Sequence, residues 1–372
     1  MLPEFYVPRF SIIIPTYKEL GTIPENIKKL YAQSRDVEFL IGPEAVPDDE
    51  LKVLEEMARK YPIKLRAHRE KMGKVKKLNE LIGLASGDIF VFLDSDATVE
   101  NETLLQDIEK ALERGDFGSG IIKIRGNSIT QRCARIDYLN TNVTLHLQQK
   151  FRFSSGLNGA FIFAKREVVR KLNGFARLIV EDVDFGIRAS AAGFRPVFIP
   201  KHCITTDAPE TWYKWYKQRK RWYIGGAQAV LVHLKTLIRN IIPVGVQALA
   251  YAPAGPIYTA LLLLPNRYME KLVAVFLSTL TVFFPATLYL FYAGLVYLAA
   301  KYLALYLAGY VALLLWVAYW RERFNFTEIK LLRDVTIYYT VYVPISFLIV
   351  VGAVLYTLYR RGKIERVDNW IV

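Results

Sequence analysis

Cysteine is nearly absent from this chain of 372 residues, with Cys133 and Cys203 as its two examples. Two cysteines cannot form the framework of a disulfide-stapled secreted domain, and these two lack the spacing of a metal site. The first residues contain neither a basic segment nor an apolar core, so we expect no secretory signal peptide and a cytoplasmic start. These absences favour a protein of a reducing compartment.

A nucleic-acid-binding motif is also missing, although the formal net charge is +14. A basic excess attracts nucleic acid, an anionic membrane surface or a phosphorylated substrate. Because no motif supports the first of these, we expect no nucleic-acid partner. The remaining partners are membrane lipids and a phosphate-bearing ligand.

Long apolar runs occupy only the second part of the sequence. About 20 apolar residues are needed to span a bilayer, and four stretches approach or exceed this length: 241–264, 272–300, 302–320 and 335–359. Three prolines make the first a candidate for a broken or re-entrant helix, and Lys301 is predicted to mark a turn. Four spans would return the basic residues 360–363 to the cytoplasm, as the positive-inside rule prefers. We therefore predict a multi-pass protein of the cell membrane, with its soluble part on the cytoplasmic side.

Strands alternate with helices in the first part of the chain. We predict strands at 10–15, 37–42, 63–67 and 88–93, and helices at 24–34, 48–60 and 74–85. This order predicts an α/β fold of the Rossmann-like kind, with a mostly parallel sheet and helices on both faces. Ligands of such sheets collect at the carboxyl ends of the strands. Residues 16–19, 43–44 and 94–96 fall on that rim.

Two acids stand directly after the most apolar strand, in the sequence Asp94-Ser95-Asp96. Such a pair on a loop is often only solvated. At a strand end, however, paired carboxylates can share a divalent cation with a diphosphate, and Mg²⁺ prefers few protein oxygens plus substrate phosphates. The motif therefore predicts a site for Mg²⁺ or Mn²⁺ at Asp94 and Asp96.

Five motifs occur in an order that resembles family-2 glycosyltransferases: SIIIPTYKE at 11–19, GK at 73–74 with LN at 78–79, DSD at 94–96, ED at 181–182, and QRKRW at 218–222. The last motif is similar to the branch of the cellulose, chitin and hyaluronan synthases. The resemblance covers the catalytic half and implies a GT-A fold at 1–210. Composition and hydropathy predict an amphipathic membrane-interface segment at 211–240, a transmembrane region of about four helices at 241–359 and a basic tail at 360–372. It also implies a nucleotide-diphosphate sugar as donor.

The resemblance assigns the donor site residue by residue. Lys74 would face the diphosphate, Asp94 would contact the donor and the metal, and Asp96 would bind the metal. Family members usually carry an aspartate for uracil where this chain has Glu44, so either Glu44 substitutes for it or base recognition differs. The residues implied to bind the donor are Pro15, Thr16, Glu19, Glu44, Lys74, Asp94, Asp96, Gln218, Arg219 and Arg221.

The acceptor side is assigned in the same way. Asp182 matches the general base, with Asp184 as a rival, although acids also stabilise a helix N-terminus such as the one predicted at 183–192. Trp222 would stack on a sugar ring, and the loop with Ser155 and Gly156 would lie beside the acceptor together with Glu181. An alternative interpretation without a ligand is that residues 218–222 form an aromatic and basic belt at the membrane interface.

These assignments predict an inverting, metal-dependent transfer, with a UDP-sugar as the favoured donor and a growing polysaccharide as the favoured acceptor. The alternative acceptor is a membrane lipid or a polyprenyl phosphate. Two rival classes remain. One is a nucleotidyltransferase, and the other is a membrane protein that senses nucleotides or transports a solute. A homo-oligomer is compatible with the sequence.

Overall fold

The computed structural model describes residues 9–251 and 284–360, and one sheet of eight strands forms its centre. The strand order is β3-β2-β1-β4-β7-β6-β8-β5. The strands are β1 Phe10–Tyr17, β2 Val37–Glu44, β3 Ile63–Leu65, β4 Ile89–Leu93, β5 Thr98–Val99, β6 Phe117–Ile124, β7 Phe161–Lys165 and β8 Pro196–Thr206. The helices of the first part are α1 Ile23–Gln33, α2 Asp48–Ala58, α3 Lys74–Leu84, α4 Leu104–Leu112, α5 Ile129–Phe151, α6 Arg166–Lys171 and α7 Glu181–Ala191.

The first half of the sheet confirms the predicted strands and helices. β1 pairs in parallel with both β2 and β4, and β2 pairs in parallel with β3. Side chains on both faces of these strands are buried, since Ile12 and Ile13 point to opposite faces and neither is exposed to solvent. Such double burial explains the continuous apolar runs in the sequence.

The second half of the sheet is mixed, and the prediction of a mostly parallel sheet was wrong here. β7 pairs antiparallel with β4 and with β6, and β5 pairs antiparallel with β8, whereas β6 and β8 are parallel. The reversal follows from the path of the chain: between β6 and β7 it forms the 23-residue helix α5 and a loop, and it returns in the opposite direction. A short apolar strand has the same sequence pattern in either direction.

The segment predicted at 211–240 forms two helices, α8 Trp212–Val232 and α9 Leu234–Arg239, rather than one. The break is at His233, whose side chain bonds to Asp184. A third helix, α10 Ile241–Tyr251, follows directly. Several large apolar side chains of this part are exposed, among them Ile238, Ile241 and Ile242.

Two helices of the C-terminal part pack on the sheet domain: α11 Phe284–Arg323 and α12 Leu331–Tyr359, which includes a π-helical turn at Tyr338–Tyr342. Val317 and Tyr339 join the same buried cluster as Phe198 of β8 and Ile136 of α5. The predicted turn at Lys301 was wrong, because α11 continues through it; Ala-Ala-Lys-Tyr-Leu contains no helix breaker.

Length and composition make α12 suitable for crossing a bilayer, and it is the one such helix within residues 9–251 and 284–360. It overlaps the fourth predicted span. Parts of the first and second predicted spans, 252–264 and 272–283, and the basic tail from 361 onward lie outside the described residues. The third predicted span lies within α11.

Candidate active site

A single ammonium group connects the two sides of the candidate site. Lys74 is the first residue of α3, and its Nζ lies 2.7 Å from Oδ1 of Asp94, at the end of β4. The same Nζ lies 3.1 Å from Oε1 of Glu181, the first residue of α7. The sheet therefore brings together residues that the sequence separates by more than 100 positions.

The environment of Lys74 keeps it positively charged. Burial alone would lower the pKa of Lys74, but the charges of Asp94 and Glu181 and a hydrogen bond to Asp94 raise it well above its usual value. Asp182 adds a further negative charge. Lys74 is therefore a fixed cation where the sequence predicts a diphosphate.

Asp182 is held by two backbone amides. Its Oδ2 accepts a hydrogen bond of 2.6 Å from the amide of Gly159, and its Oδ1 accepts one of 2.9 Å from the amide of Val183. Burial and the adjacent charge of Glu181 raise the pKa of Asp182 to about 7, against the opposing effects of Lys74 and the two amides. A carboxyl group that titrates near neutral pH suits a general base.

Asp184, the rival base, is engaged elsewhere. One of its oxygens lies 2.6 Å from Nε of Arg188 and the other lies 2.8 Å from Nε2 of His233. The side chain is buried, with 2% of its surface exposed. Both oxygens thus have partners that fix α7 to the end of α8, which favours Asp182 over Asp184.

Asp94 and Asp96 supply the oxygen ligands that Mg²⁺ or Mn²⁺ would need. Burial, Asp94 and Asp207 raise the pKa of Asp96 to about 6, so the local potential is negative and favours a cation. In the described part of the chain, no three His, Cys, Asp or Glu side chains form a metal cluster. Two carboxylates fit a cation that also takes ligands from a diphosphate.

The predicted nucleobase end contains a buried carboxylate with a spare oxygen. Glu44, at the end of β2, is 3% exposed, and its Oε2 accepts a hydrogen bond of 3.3 Å from the amide of Gly73, next to Lys74. Its Oε1 is buried without a hydrogen-bond partner. A buried oxygen of this kind is costly unless a ligand supplies a donor.

The other residues predicted to bind the donor in or after the first strand lie in two different environments. Pro15 lines a small cavity together with Lys74, Asp94, Glu181 and Asp182. The Thr16 hydroxyl instead donates to the carbonyl of Glu19, which is a turn contact, and the side chain of Glu19 is exposed.

Arg219 lies in a buried polar cluster rather than at the open rim. Its guanidinium is 2.8 Å from Oδ2 of Asp137 on α5, and it is 1% exposed. Asp137 also accepts hydrogen bonds from the hydroxyls of Tyr338, at 2.6 Å, and Tyr342, both in the π-helical turn of α12. The QRKRW helix is thereby joined to α5 and to the apolar α12.

The remaining residues of the QRKRW motif are more accessible. Arg219 lies over the ring of Trp222, 4.6 Å from its centroid, which fixes one side of the indole. Gln218, Arg221 and Trp222 are partly buried. Arg221 makes no hydrogen bond or ion pair with the described residues, so its guanidinium remains available to a ligand.

The loop predicted to lie beside the acceptor borders a groove of about 310 Å³. Ser155 and Gly156 line it, together with Val183, which follows Asp182. Gly156 has a φ of +146° and packs on Val183, where an added Cβ would lie 3.1 Å from the valine side chain. The structure therefore brings Ser155 and Gly156 close to the predicted base.

Three residues near the site were missed from the sequence. Tyr138 is buried close to Arg219, Asp96 and Asn158, and burial raises its pKa to about 12. Asp137 and Gln247 were missed as well. Gln247 could have been identified from the sequence, because it is the one amide side chain in the apolar run 241–251. The sequence around Asp137 and Tyr138 contains no comparable pattern.

Comparison with known families confirms the predicted family. The profile of a family described as Glycosyl transferase family group 2 matches residues 89–359. The match includes the acids at 94–96 and 181–182, the QRKRW motif and the helix α12. It covers well over half of the chain.

Individual relatives are distant. The Bacillus subtilis protein named probable glycosyltransferase YdaM is 24% identical over 241 residues, which are 61% of this chain and 57% of that protein. A poly-beta-1,6-N-acetyl-D-glucosamine synthase of Staphylococcus epidermidis is 22% identical over 60% of this chain and 56% of its own length. The chain thus spans little more than half the length of these relatives. A solved mannosyltransferase of Pyrobaculum calidifontis, in complex with GDP-Man and Mn²⁺, is 19% identical over 80% of this chain and 88% of that one, with a TM-score of 0.49.

Proposed function

Since this chain belongs to the glycosyl transferase family group 2 and is a glycosyltransferase, we propose that it transfers a sugar from a nucleotide-diphosphate donor, with inversion, to a polysaccharide that grows at a membrane. One observation carries the proposal: Lys74 contacts both Asp94 and Glu181, and Asp182 stands beside them. A cation for the leaving diphosphate and a base for the acceptor are thus in one place.

The donor would bind along the rim from Glu44 to Lys74. The unpartnered Oε1 of Glu44 would accept a hydrogen bond from the nucleobase, either from a ring N–H, as in uracil or guanine, or from an exocyclic amino group. The amide of Gly73 joins this end to Lys74, whose ammonium would pair with the diphosphate. Arg221 supplies a second cation.

Asp94 and Asp96 would hold a divalent cation, which when bound neutralises the charge on the diphosphate leaving group. Asp182, in its ionised form, would accept the proton of the acceptor hydroxyl. The amides of Gly159 and Val183 hold its carboxylate in one orientation while this happens. A single displacement inverts the configuration of the anomeric carbon.

The polymer acceptor is supported by the polysaccharide-synthase relative and by the exposed side of Trp222, whose flat face suits a sugar ring. A second acceptor class, a membrane lipid or polyprenyl phosphate, is favoured by a different observation. The groove beside Ser155 and Val183 has a mainly apolar surface, to which α5 and the helices α7 to α10 contribute.

The test is a donor screen on the purified full-length chain in lipid nanodiscs. UDP- and GDP-sugars are supplied with Mn²⁺, Mg²⁺ or EDTA, and nucleoside diphosphate release is measured. We expect release with one donor class and at least one cation, and its loss in EDTA. Release that persists in EDTA would contradict the metal assignment, and no release from any donor would contradict the proposed reaction.

Sizing the labelled product distinguishes the acceptors. A ladder of sugar oligomers supports the polysaccharide assignment. A single sugar that extracts with lipid assigns the lipid acceptor instead.

A further inference from the structure

Gln247 is the one amide side chain on the apolar helix α10, and it is completely buried. A buried amide is costly unless its donor and acceptor groups are both satisfied. Its Nε2 donates to the carbonyl of Phe153 at 2.8 Å, and its Oε1 accepts from the amide of Ser155 at 3.0 Å. Both bonds go to the loop at residues 153–159, which we call the acceptor loop.

The first half of the acceptor loop also packs against neighbouring helices. Phe153 is buried in a small cluster with Ile187 of α7 and Leu237 of α9, against Val244 of α10. Nε2 of Gln148 donates to the carbonyl of Gly156 at 2.6 Å. The amide of Ser154 also donates to the hydroxyl of Ser190 on α7 at 2.8 Å, so the first half of the loop is held by α5, α7 and α10 together.

The middle and the C-terminal end of the acceptor loop contact Val183 and the predicted base Asp182. Gly156 packs on Val183, and the amide of Gly159 donates to Asp182. An added Cβ at Gly159 would lie 3.1 Å from Oδ2 of Asp182 and 3.3 Å from Nζ of Lys74, so the backbone passes close to both. A shift of the loop would move the group that orients Asp182.

We propose that Gln247 is a positioning residue for sugar transfer: by pairing with Phe153 and Ser155 it holds the acceptor loop in register with Asp182. The proposal rests on the proposed function, because it takes Asp182 as the base. Gln247 does not itself contact Lys74, Asp94 or Glu44, so its replacement should affect the acceptor side more than the donor side. Docking of the apolar helix α10 thereby controls alignment of the acceptor.

The decisive variant is Gln247→Met, which keeps the length of the side chain and removes both hydrogen bonds. We expect kcat/KM for the acceptor to fall at least tenfold, because small displacements from reactive geometry are costly. The KM for the donor should stay within twofold of the unmodified chain. The slow release of nucleoside diphosphate into water without acceptor should fall less than transfer, because a water molecule can follow a displaced base and a bound sugar chain cannot. Gln247→Glu should retain more transfer than Gln247→Met, since a buried carboxyl stays protonated and can both donate and accept.

The chain offers a matched control in Gln33. Its Nε2 donates to the carbonyl of Asn101 at 2.8 Å and its Oε1 accepts from the amide of Leu105 at 3.1 Å, which is the same pairing at a place without site residues. Gln33 is partly buried, so Gln33→Met should lower thermal stability by no more than Gln247→Met does, and it should leave transfer unchanged.

Wild-type transfer by Gln247→Met would overturn the proposal. So would an equal loss of donor hydrolysis and transfer, or equal activities of the Met and Glu variants. If Gln247→Met does not fold, Gln247→Asn takes its place, because the shorter amide cannot reach both Phe153 and Ser155. A larger loss of transfer than of hydrolysis in that variant supports the proposal, and equal losses overturn it. Failure of the unmodified chain to release nucleotide from any donor would contradict the proposed function instead.

Discussion

Replacement of Asp182 by Asn tests the reaction most directly. The side chain keeps its shape and one amide-accepting oxygen, but it can no longer take a proton from the acceptor. General-base catalysis contributes 10²- to 10⁴-fold, or about 3 to 5 kcal/mol of barrier. We therefore expect kcat of Asp182→Asn to fall by roughly 10²- to 10⁴-fold, with nucleotide binding largely intact.

The pH dependence gives a second measure of the same group. The base acts in its ionised form, so activity is present above its pKa and is lost as the pH falls through it. With the pKa of Asp182 raised to about 7 by burial and Glu181, only about 1% of the carboxylate is ionised at pH 5. A plot of log kcat/KM against pH should rise with unit slope and level off near pH 7.

The assay is nucleoside diphosphate release over a range of acceptor concentrations, which gives both kcat and kcat/KM, measured from pH 5 to 9 for the unmodified chain, Asp182→Asn and Asp184→Asn. The last variant is the control, because Asp184 is bound to Arg188 and His233; it should lose stability and keep the acid limb. Retention of more than a tenth of the rate by Asp182→Asn, or an acid limb that persists in it, would refute the assignment.

Two further predictions concern the buried polar groups. Glu44→Gln should raise the KM for the donor about 10- to 100-fold in steady-state kinetics, because an unmatched buried donor costs about 1–3 kcal/mol. The control Glu55→Gln, at an exposed residue, should leave this KM unchanged, and equal effects would exclude Glu44 from base recognition. Arg219→Met should destabilise the fold by about 3–5 kcal/mol, since it leaves Asp137 buried without its cation. Thermal unfolding should show recovery in the double variant with Asp137→Asn, and no recovery would contradict the pairing. The control Glu25→Gln, which breaks an exposed pair with Lys29, should cost less than about 1 kcal/mol.

Much of the first half of the fold could be predicted from the sequence, because each strand and helix there follows from the residues of its own segment. Apolar runs such as Ile12 to Ile14 must be buried on both faces, and the helices between them enforce parallel pairing. The direction of β7 could not be predicted, since it depends on where α5 returns the chain. The break at His233 depends on its contact with Asp184, which the local pattern does not encode.

The candidate site shows the same division. Motif order located Lys74, Asp94 and Asp182, and the sheet brings them together. The partner of a single acid in a helix has no sequence signature, so the pairing of Asp137 with Arg219 was not predictable. Arg219 was expected at the donor, and the structure holds it in a buried ion pair; its role toward the donor stays a prediction.

The balance of charge around Lys74 has a consequence for the order in which ligands arrive. Four carboxylates, those of Asp94, Asp96, Glu181 and Asp182, have one ammonium close by. A nucleoside diphosphate without a cation is itself an anion, so it meets repulsion there that salt only partly screens. We therefore expect the cation and the nucleotide to enter as one complex, and calorimetric titration should show each binding more tightly in the presence of the other. We therefore expect the negative potential of this site to disfavour the binding of nucleotides that carry no divalent cation.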